Sequence, residues 1–407
     1  MIDYFETRSQ PITKAMVYKA YGEVRANKGS GGIDGMNWDD LEKDLSRQMH
    51  KLWVRLSSGS YFPTAVKQVE IAKKDGGVRK LGIPTLLDRI AQQVVKTYLE
   101  PMVEPRFHES SFGYRPGRSC HQALQKATNS IFNHDWVIDL DIKSFFDTID
   151  HELMMKALRF YCQDNWVLLY VFRWLKAGIL QKDGSFIDRI SGTPQGGVIS
   201  PLLANIYLDV VFDRWMQKNH PEKPFERYAD DIVVHCKTDK QARFVLASIC
   251  ERFRQCSLEV HPQKTRIVNL RGWSEQKYPR SFDFLGFTFK PIQANTAKGR
   301  KLMITTFISK KSIRSISVKF RKMQLHKRRI SLEALSKLLN PITRGVGNYY
   351  CKVWSSHTRV IWNQLNRRLW KWVKWEKGLY AYSALNWLRR KYKEKPNLFY
   401  HWKYVHP

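Results

Sequence analysis

Two pairs of aspartates, Asp139 with Asp141 and Asp230 with Asp231, stand among apolar residues in a strongly basic chain. "WVIDLDIKSFFDTID" begins at Trp136, and Ile138, Leu140 and Ile142 alternate with Asp139 and Asp141. That period of two is the mark of a strand with one polar face. "FERYADDIVVHC", residues 225–236, places Asp230 and Asp231 side by side ahead of Ile232, Val233 and Val234. An isolated Asp-Asp pair is ordinarily a turn or a helix cap, but the β-branched run that follows favours a strand. Neighbouring carboxylates in a half-buried strand repel each other and lose hydration. A bound divalent cation removes that penalty, and an all-oxygen donor set selects Mg²⁺ or Mn²⁺ over zinc. Carboxylates from two strands could hold two ions about 3.5–4 Å apart, the arrangement used for in-line phosphoryl transfer.

The rest of the chain says what such a site would face. Its 407 residues suffice for two or three domains, and 69 Lys/Arg against 37 Asp/Glu give a formal net charge of +32. With 43% hydrophobic and 13% aromatic residues it is a folded protein, so the charge points to a polyanionic partner, nucleic acid first and an anionic membrane second. The membrane reading is weak. "MIDYFETRSQ" has no signal-peptide pattern. The most apolar run, "WVLLYVFRWLKAGIL" from Trp166, is interrupted by Arg173 and Lys176 and reads as a buried helix. Six cysteines without C-x-x-C spacing argue against zinc and suit reduced thiols in a cytoplasmic protein.

The charge is uneven. Residues 305–407 hold 24 Lys/Arg and 3 Asp/Glu together with half of the tryptophans, and the change in composition places a junction near 290–305, around "QANTAKGR". Ile313, Ile316, Phe320 and Met323 form one helical stripe and Trp362, Leu365, Leu369 and Trp372 another, both read as core-facing. The basic residues off these stripes, including Lys311, Arg314, Arg321 and Lys322, could follow a phosphate backbone. "NKGSGGIDG", residues 27–35, lacks the strand and the Lys-Ser/Thr ending of a phosphate loop and reads as a flexible connection between helices.

Taken in order, these stretches resemble one family. "RYADDIVV" is similar to the catalytic hairpin of reverse transcriptases, "LDIKSFFDTI" to the other metal-binding palm strand, and "GTPQGGVISPLLANIYL" to the segment beneath the nascent base pair. "GGIDGM", "AKKDGGVRKLGIPTLLDRIAQQVV", "FGYRPGRSCHQAL", "VHPQKT", "FLGFTF" and "LNPITRGVGNYY" extend the match over nearly the whole chain. The resemblance is to bacterial group II intron reverse transcriptases, also called maturases. It implies an α+β, right-hand polymerase fold with an antiparallel palm sheet, followed by an α-helical thumb and maturase region. The implied divisions are 1–120 (N-terminal extension and fingers), 121–292 (palm with remaining finger elements) and 293–407 (thumb and maturase).

The resemblance also implies roles. Asp141, Asp230, Asp231 and the backbone carbonyl of Ile142 would bind two Mg²⁺ ions, for which Mn²⁺ can substitute. Asp139 shares a strand face with Asp141 and is its rival; the family places an aromatic five residues after the metal ligand, which favours Asp141 because Phe146 follows it at that distance. Phe146 would select deoxynucleotides by crowding a 2′-hydroxyl. Lys73 and Arg79, on a hairpin turning at Asp75-Gly76-Gly77, would grip the triphosphate of the dNTP. Gln195 would contact nucleotide or template, Arg115 a phosphate or the template, and Lys264 would protonate pyrophosphate. The implied activity is RNA-directed DNA synthesis from a DNA or RNA primer, with binding of group II intron RNA to aid splicing and retrohoming. The expected location is the bacterial cytoplasm, at the nucleoid when the protein acts on DNA.

Some positions depart from the family. Gly32, Ala72 and Lys74 stand where proline is common, and Val346 stands where an aromatic is expected. A C-terminal His- and Cys-bearing endonuclease domain is not expected. The competing readings are a domesticated enzyme of the same fold serving DNA repair, phage defence or CRISPR spacer acquisition, a non-enzymatic splicing factor, and a DNA-binding module.

Overall fold

The computed structural model describes residues 10–72, 77–272, 277–296, 299–353 and 356–407. The chain divides into two compact units. One holds residues 1–130 and 136–267, the other 131–135 and 268–407. Both helices and sheets are present, so the fold is α+β.

Strands are numbered along the chain. In the first unit, β1 (Val66–Ala72) and β2 (Val78–Ile83) form an antiparallel hairpin in which Ala72 faces Val78 and Ile71 faces Arg79, and the short β4 (Ile179–Leu180) and β5 (Phe186–Ile187) extend that sheet in the order β2-β1-β4-β5. The strands flanking "KDGG" pair, while Lys73 and residues 74–76, where the turn is expected, lie outside the described residues. A second sheet has the order β6-β7-β3-β8, built from β3 (Trp136–Asp141), β6 (Phe225–Tyr228), β7 (Asp231–Cys236) and β8 (Arg266–Asn269). The apolar residues of β3 and β7 alternate or run together because this sheet is central. Val137, Ile138 and Leu140 are buried, as is all of β7 beyond Asp231. The helix Asp239–Gln255 packs against β3 and β7, and two largely buried helices share the core of this unit. "SPLLANIYL" (Ser200–Leu208) is buried at all but one position. The helix Asn165–Lys176 is the buried apolar run expected from sequence. No helix among the described residues is long and apolar enough to cross a membrane.

The loop at residues 27–35 is pinned to its surroundings. Trp38 Nε1 donates to the Gly29 carbonyl at 2.8 Å, Arg89 donates to the Ser30 carbonyl, and a Cβ at Gly32 would stand 2.6 Å from Thr85 Cα. These contacts differ from the free connection its glycines suggested.

In the second unit, β9 (Phe282–Phe284), β10 (Phe287–Thr296) and β11 (Gly299–Ile308) make a three-stranded sheet. The β10–β11 register runs from Phe287↔Ile308 to Thr296↔Gly299. The charge step around "QANTAKGR" thus falls within a hairpin, while the compact units divide at Ile267/Val268. Helices Lys310–Lys322, Leu332–Tyr350, Arg359–Lys377 and Ala381–Glu394 follow. Both stripes read from sequence pack inward. Ile316 and Phe320 are buried, and Trp362, Leu365, Leu369 and Trp372 share a core with Trp402. Burial also pushes the His401 imidazole down to about 3, so it serves as a neutral hydrogen-bond partner of Asn366.

Candidate active site

β7 pairs with β3 so that Asp231 lies directly opposite Asp141. Side chains opposite each other in a ladder share a face, so the register brings two carboxylates together from separate strands. Asp230 enters from the turn. Tyr228 pairs with Asp231, leaving only Ala229 and Asp230 to connect β6 to β7. Asp139 stands one pleat further along, opposite Val233, and accepts from Arg266 Nε at 3.0 Å. The register thus sets Asp141, and not Asp139, opposite Asp231.

Asp141 is anchored by its backbone. Its N–H donates to Thr265 Oγ1 at 3.2 Å and its carbonyl accepts from His261 N at 2.8 Å. Lys264 Nζ approaches Asp141 Oδ2 at 3.5 Å. Ile142 is buried and forms an antiparallel bridge with Val260. The hydrogen bonds on that side are made by the Asp141 carbonyl and the Lys143 N–H, so the Ile142 carbonyl points away from Val260.

The electrostatics show how crowded the carboxylates are. Burial first, then Asp230, Asp141 and Asp139, pushes the Asp231 carboxyl up to about 7. Burial and Asp141 raise Asp230, against the opposing charges of Arg79 and Lys264. Asp231 nevertheless keeps exposed surface, so a ligand can reach it. Among the described residues no three His, Cys, Asp or Glu side chains are gathered tightly enough to enclose an ion as they stand. An open set of carboxylates suits Mg²⁺, which keeps several waters and is held by one or two carboxylates plus substrate phosphates. The donor chemistry therefore fits a hard divalent cation, and the repulsion is the penalty such a cation would relieve.

A pH dependence follows from Asp231. Its folded-state pKa lies above the usual carboxylate value, so its contribution to stability is present at low pH and is lost as pH rises toward and through about 7. The metal-free protein is expected to lose stability between about pH 4 and 7, and divalent cations are expected to bind more tightly over the same interval. Thermal melts with EDTA or Mg²⁺ across that range check both; an Mg²⁺ stabilisation independent of pH would contradict them.

Other expected site residues are placed as follows. Arg79 is exposed on β2, and its charge acts on Asp230 and on Tyr114. Phe146 is half-buried, packs edge-on against Phe145 at 5.3 Å, and its carbonyl accepts from Thr193 N at 2.8 Å. Gln195 is half-buried, and its carbonyl accepts from Gly82 N at 3.1 Å, tying "TPQGG" to β2. Gly196, at φ 133°, lies so close that a Cβ would stand 2.7 Å from the Gly82 carbonyl. Lys311, Arg314, Arg321 and Lys322 are all exposed on the helix Lys310–Lys322.

Arg115 differs from its expected role at a phosphate or template. It is buried, ion-paired with Glu104 at 2.7 Å, and donates to the His108 and Ser111 carbonyls at 2.7 and 2.8 Å. Its guanidinium is occupied in closing the loop that carries it. The exposed neighbour is Tyr114, held at φ 58° and sensing Asp230, Arg79 and Asp231. Sequence reading missed Tyr114 because an aromatic between Gly113 and Arg115 carries no charge signal.

Two family models match this chain. One is the reverse transcriptase (RNA-dependent DNA polymerase) model over residues 71–289; the other is the group II intron maturase-specific domain over residues 313–378. Protein YkfC of Escherichia coli (strain K12) is 32% identical over 318 residues, covering 69% of this chain and 81% of that protein. The group II intron-encoded protein LtrA of Lactococcus lactis subsp. cremoris is 38% identical over 192 residues, 47% of this chain but only 32% of LtrA. Nuclear intron maturase 4, mitochondrial, of Arabidopsis thaliana is 28% identical over 190 residues, 47% of this chain and 23% of that protein. The reverse transcriptase match covers more than half of the chain and contains the facing carboxylates, so this protein belongs to the reverse transcriptase family of RNA-dependent DNA polymerases and carries a group II intron maturase-specific domain.

Proposed function

We propose that the chain extends a primer 3′-hydroxyl with dNTPs on an RNA template, using Asp141, Asp230, Asp231 and the Ile142 carbonyl to hold two Mg²⁺ ions. The observation that carries this reading is the register that sets Asp141 opposite Asp231, beside Asp230. When bound, the ions would lower the pKa of the primer hydroxyl and offset charge on the departing pyrophosphate. The chain's own residues do the rest. Arg79 holds the triphosphate from the β1–β2 hairpin, with Lys73 as its proposed companion. Phe146 stands against the sugar, and Gln195 orients nucleotide or template. Lys264, already beside Asp141, holds the proton that pyrophosphate takes up. Fingers within 1–120, palm within 121–292, and thumb with maturase segment within 293–407 are the proposed functional divisions.

The same reading gives the second unit a role in holding group II intron RNA and aiding its splicing, as the maturase-specific match over 313–378 suggests. RNA recognised by shape and backbone suits a surface with so few acids. Primer extension on an annealed RNA template, with dNTPs and Mg²⁺, tests the polymerase. Salt dependence tests the platform. Replacing Lys311, Arg314, Arg321 and Lys322 by alanine is expected to reduce the slope of log K against log salt by about 3, at roughly 0.7–0.9 per lost phosphate contact. An unchanged slope would remove that helix from the interface.

A further inference from the structure

We infer that Asn205, Asp213 and Arg227 are positioning residues for the catalytic turn, fixing the backbone that delivers Asp230 and Asp231. This inference rests on the metal-site reading above.

The turn needs such support. Only Ala229 and Asp230 join β6 to β7, and Ala229 is held at φ 58°. The left-handed region is disfavoured for a Cβ-bearing residue, and strain of this kind persists only where surrounding structure imposes it. Arg227 supplies the inner contact, with Nη1 donating to the Ala229 carbonyl at 3.2 Å and to Asn205 Oδ1 at 3.0 Å. Asn205 Nδ2 in turn donates to the Gly113 carbonyl at 2.8 Å. Gly113 presses on the turn from outside, since a Cβ there would stand 2.4 Å from Ala229 N. The turn is thus gripped between Arg227 and Gly113, and Asn205 ties the two jaws together.

Arg227 is itself held in a fork. Its Nε and Nη2 donate to Asp213 Oδ1 and Oδ2 at 2.7 and 2.5 Å. Both side chains are fully buried, and Asn205 is 1% exposed. Asp213 closes a π-helical turn, Asp209–Asp213, in which Arg214 N donates back to the Asp209 carbonyl. Such turns insert one residue into a helix and re-aim its side chains. Here Asp213 meets Arg227, while Asp209 takes Tyr161, Arg214 and the His108 N–H. A buried ion pair is a poor source of stability, because desolvation offsets its attraction. Its value here is geometric, since the fork fixes the guanidinium that touches the turn.

Asn205→Ala tests this without stranding a charge. The variant is expected to fold, yet its kcat for primer extension falls about 10–100-fold, the usual effect of losing a group that orients metal ligands. The Mg²⁺ concentration for half-maximal rate should rise. Mn²⁺ binding without nucleic acid, read by electron paramagnetic resonance, should weaken about tenfold on the same reasoning. Arg227→Lys, which keeps the charge and loses the fork, should show the same pattern. Wild-type kcat and Mn²⁺ affinity in folded Asn205→Ala, with only a lower melting temperature, would overturn the proposal. If Asn205→Ala does not fold, the apolar double variant Arg227→Met/Asp213→Leu is judged by the same readouts. Asp231→Asn separates the two readings. Unchanged Mn²⁺ binding there would remove the metal site, and kcat of Asn205→Ala would still decide the positioning role.

Discussion

Asp230→Asn/Asp231→Asn is expected to abolish primer extension, with a fall beyond about 10³-fold, while binding to RNA is retained. Removing one preorganised electrostatic partner of a transition state costs roughly 10²–10³ in kcat. This variant removes two carboxylates of a set that converges from two strands. Asparagine keeps the shape and removes the charge, so the fold should survive. The burial and neighbouring charges that lift Asp231 to about 7 no longer act on an ionisable group, and the metal-free variant should melt higher than wild type above pH 7. Gel extension on an RNA template and melting in EDTA read the two effects. Residual extension near the wild-type rate would show that these aspartates are not the metal ligands.

Asp213→Ala is expected to cost about 3–5 kcal/mol of stability, because it leaves the Arg227 guanidinium buried without its counter-charge. Denaturant melts measure the loss. The double variant Arg227→Met/Asp213→Leu should recover most of it, since replacing a buried ion pair by apolar groups of similar volume is often neutral or stabilising. Recovered stability without recovered extension is the expected result. Full recovery of both would mean that the pair only fills space.

The carboxylates could be read from sequence because strand period and charge point the same way. Asp139 and Asp141 alternate with buried aliphatics, and the β-branched run after Asp231 favours a strand, which is buried beyond Asp231. Pattern alone did not separate Asp139 from Asp141; strand register does place them differently, Asp141 opposite Asp231 and Asp139 opposite Val233. The positioning residues were harder to see. Glu226 and Arg227 stand in plain view before "YADD", and two charges in so apolar a strand were a signal of buried partners. Glu226 proves to be fully buried with His235 and Ser130. Asp213 could not be matched to Arg227 in advance, since the π-helical turn that aims it leaves no mark on hydrophobic spacing. Arg115 misled because a basic residue in a loop reads as free, and its partner Glu104 lies on another element. The charge step near 290–305 misled in another way, because charge tracks what a surface meets and hairpin pairing tracks β-propensity and turn chemistry.

The two-residue connection between Tyr228 and Asp231 makes the site intolerant of changes in length. Side chains alternate faces along a strand, so a one-residue slip sends every side chain to the opposite face. An insertion or deletion within Ala229–Asp230 would either break the turn or carry Asp231 away from Asp141 and expose Ile232 in its place. Substitutions around this turn can be graded in their effects; indels cannot. Libraries that vary loop length in this enzyme should therefore spare this connection.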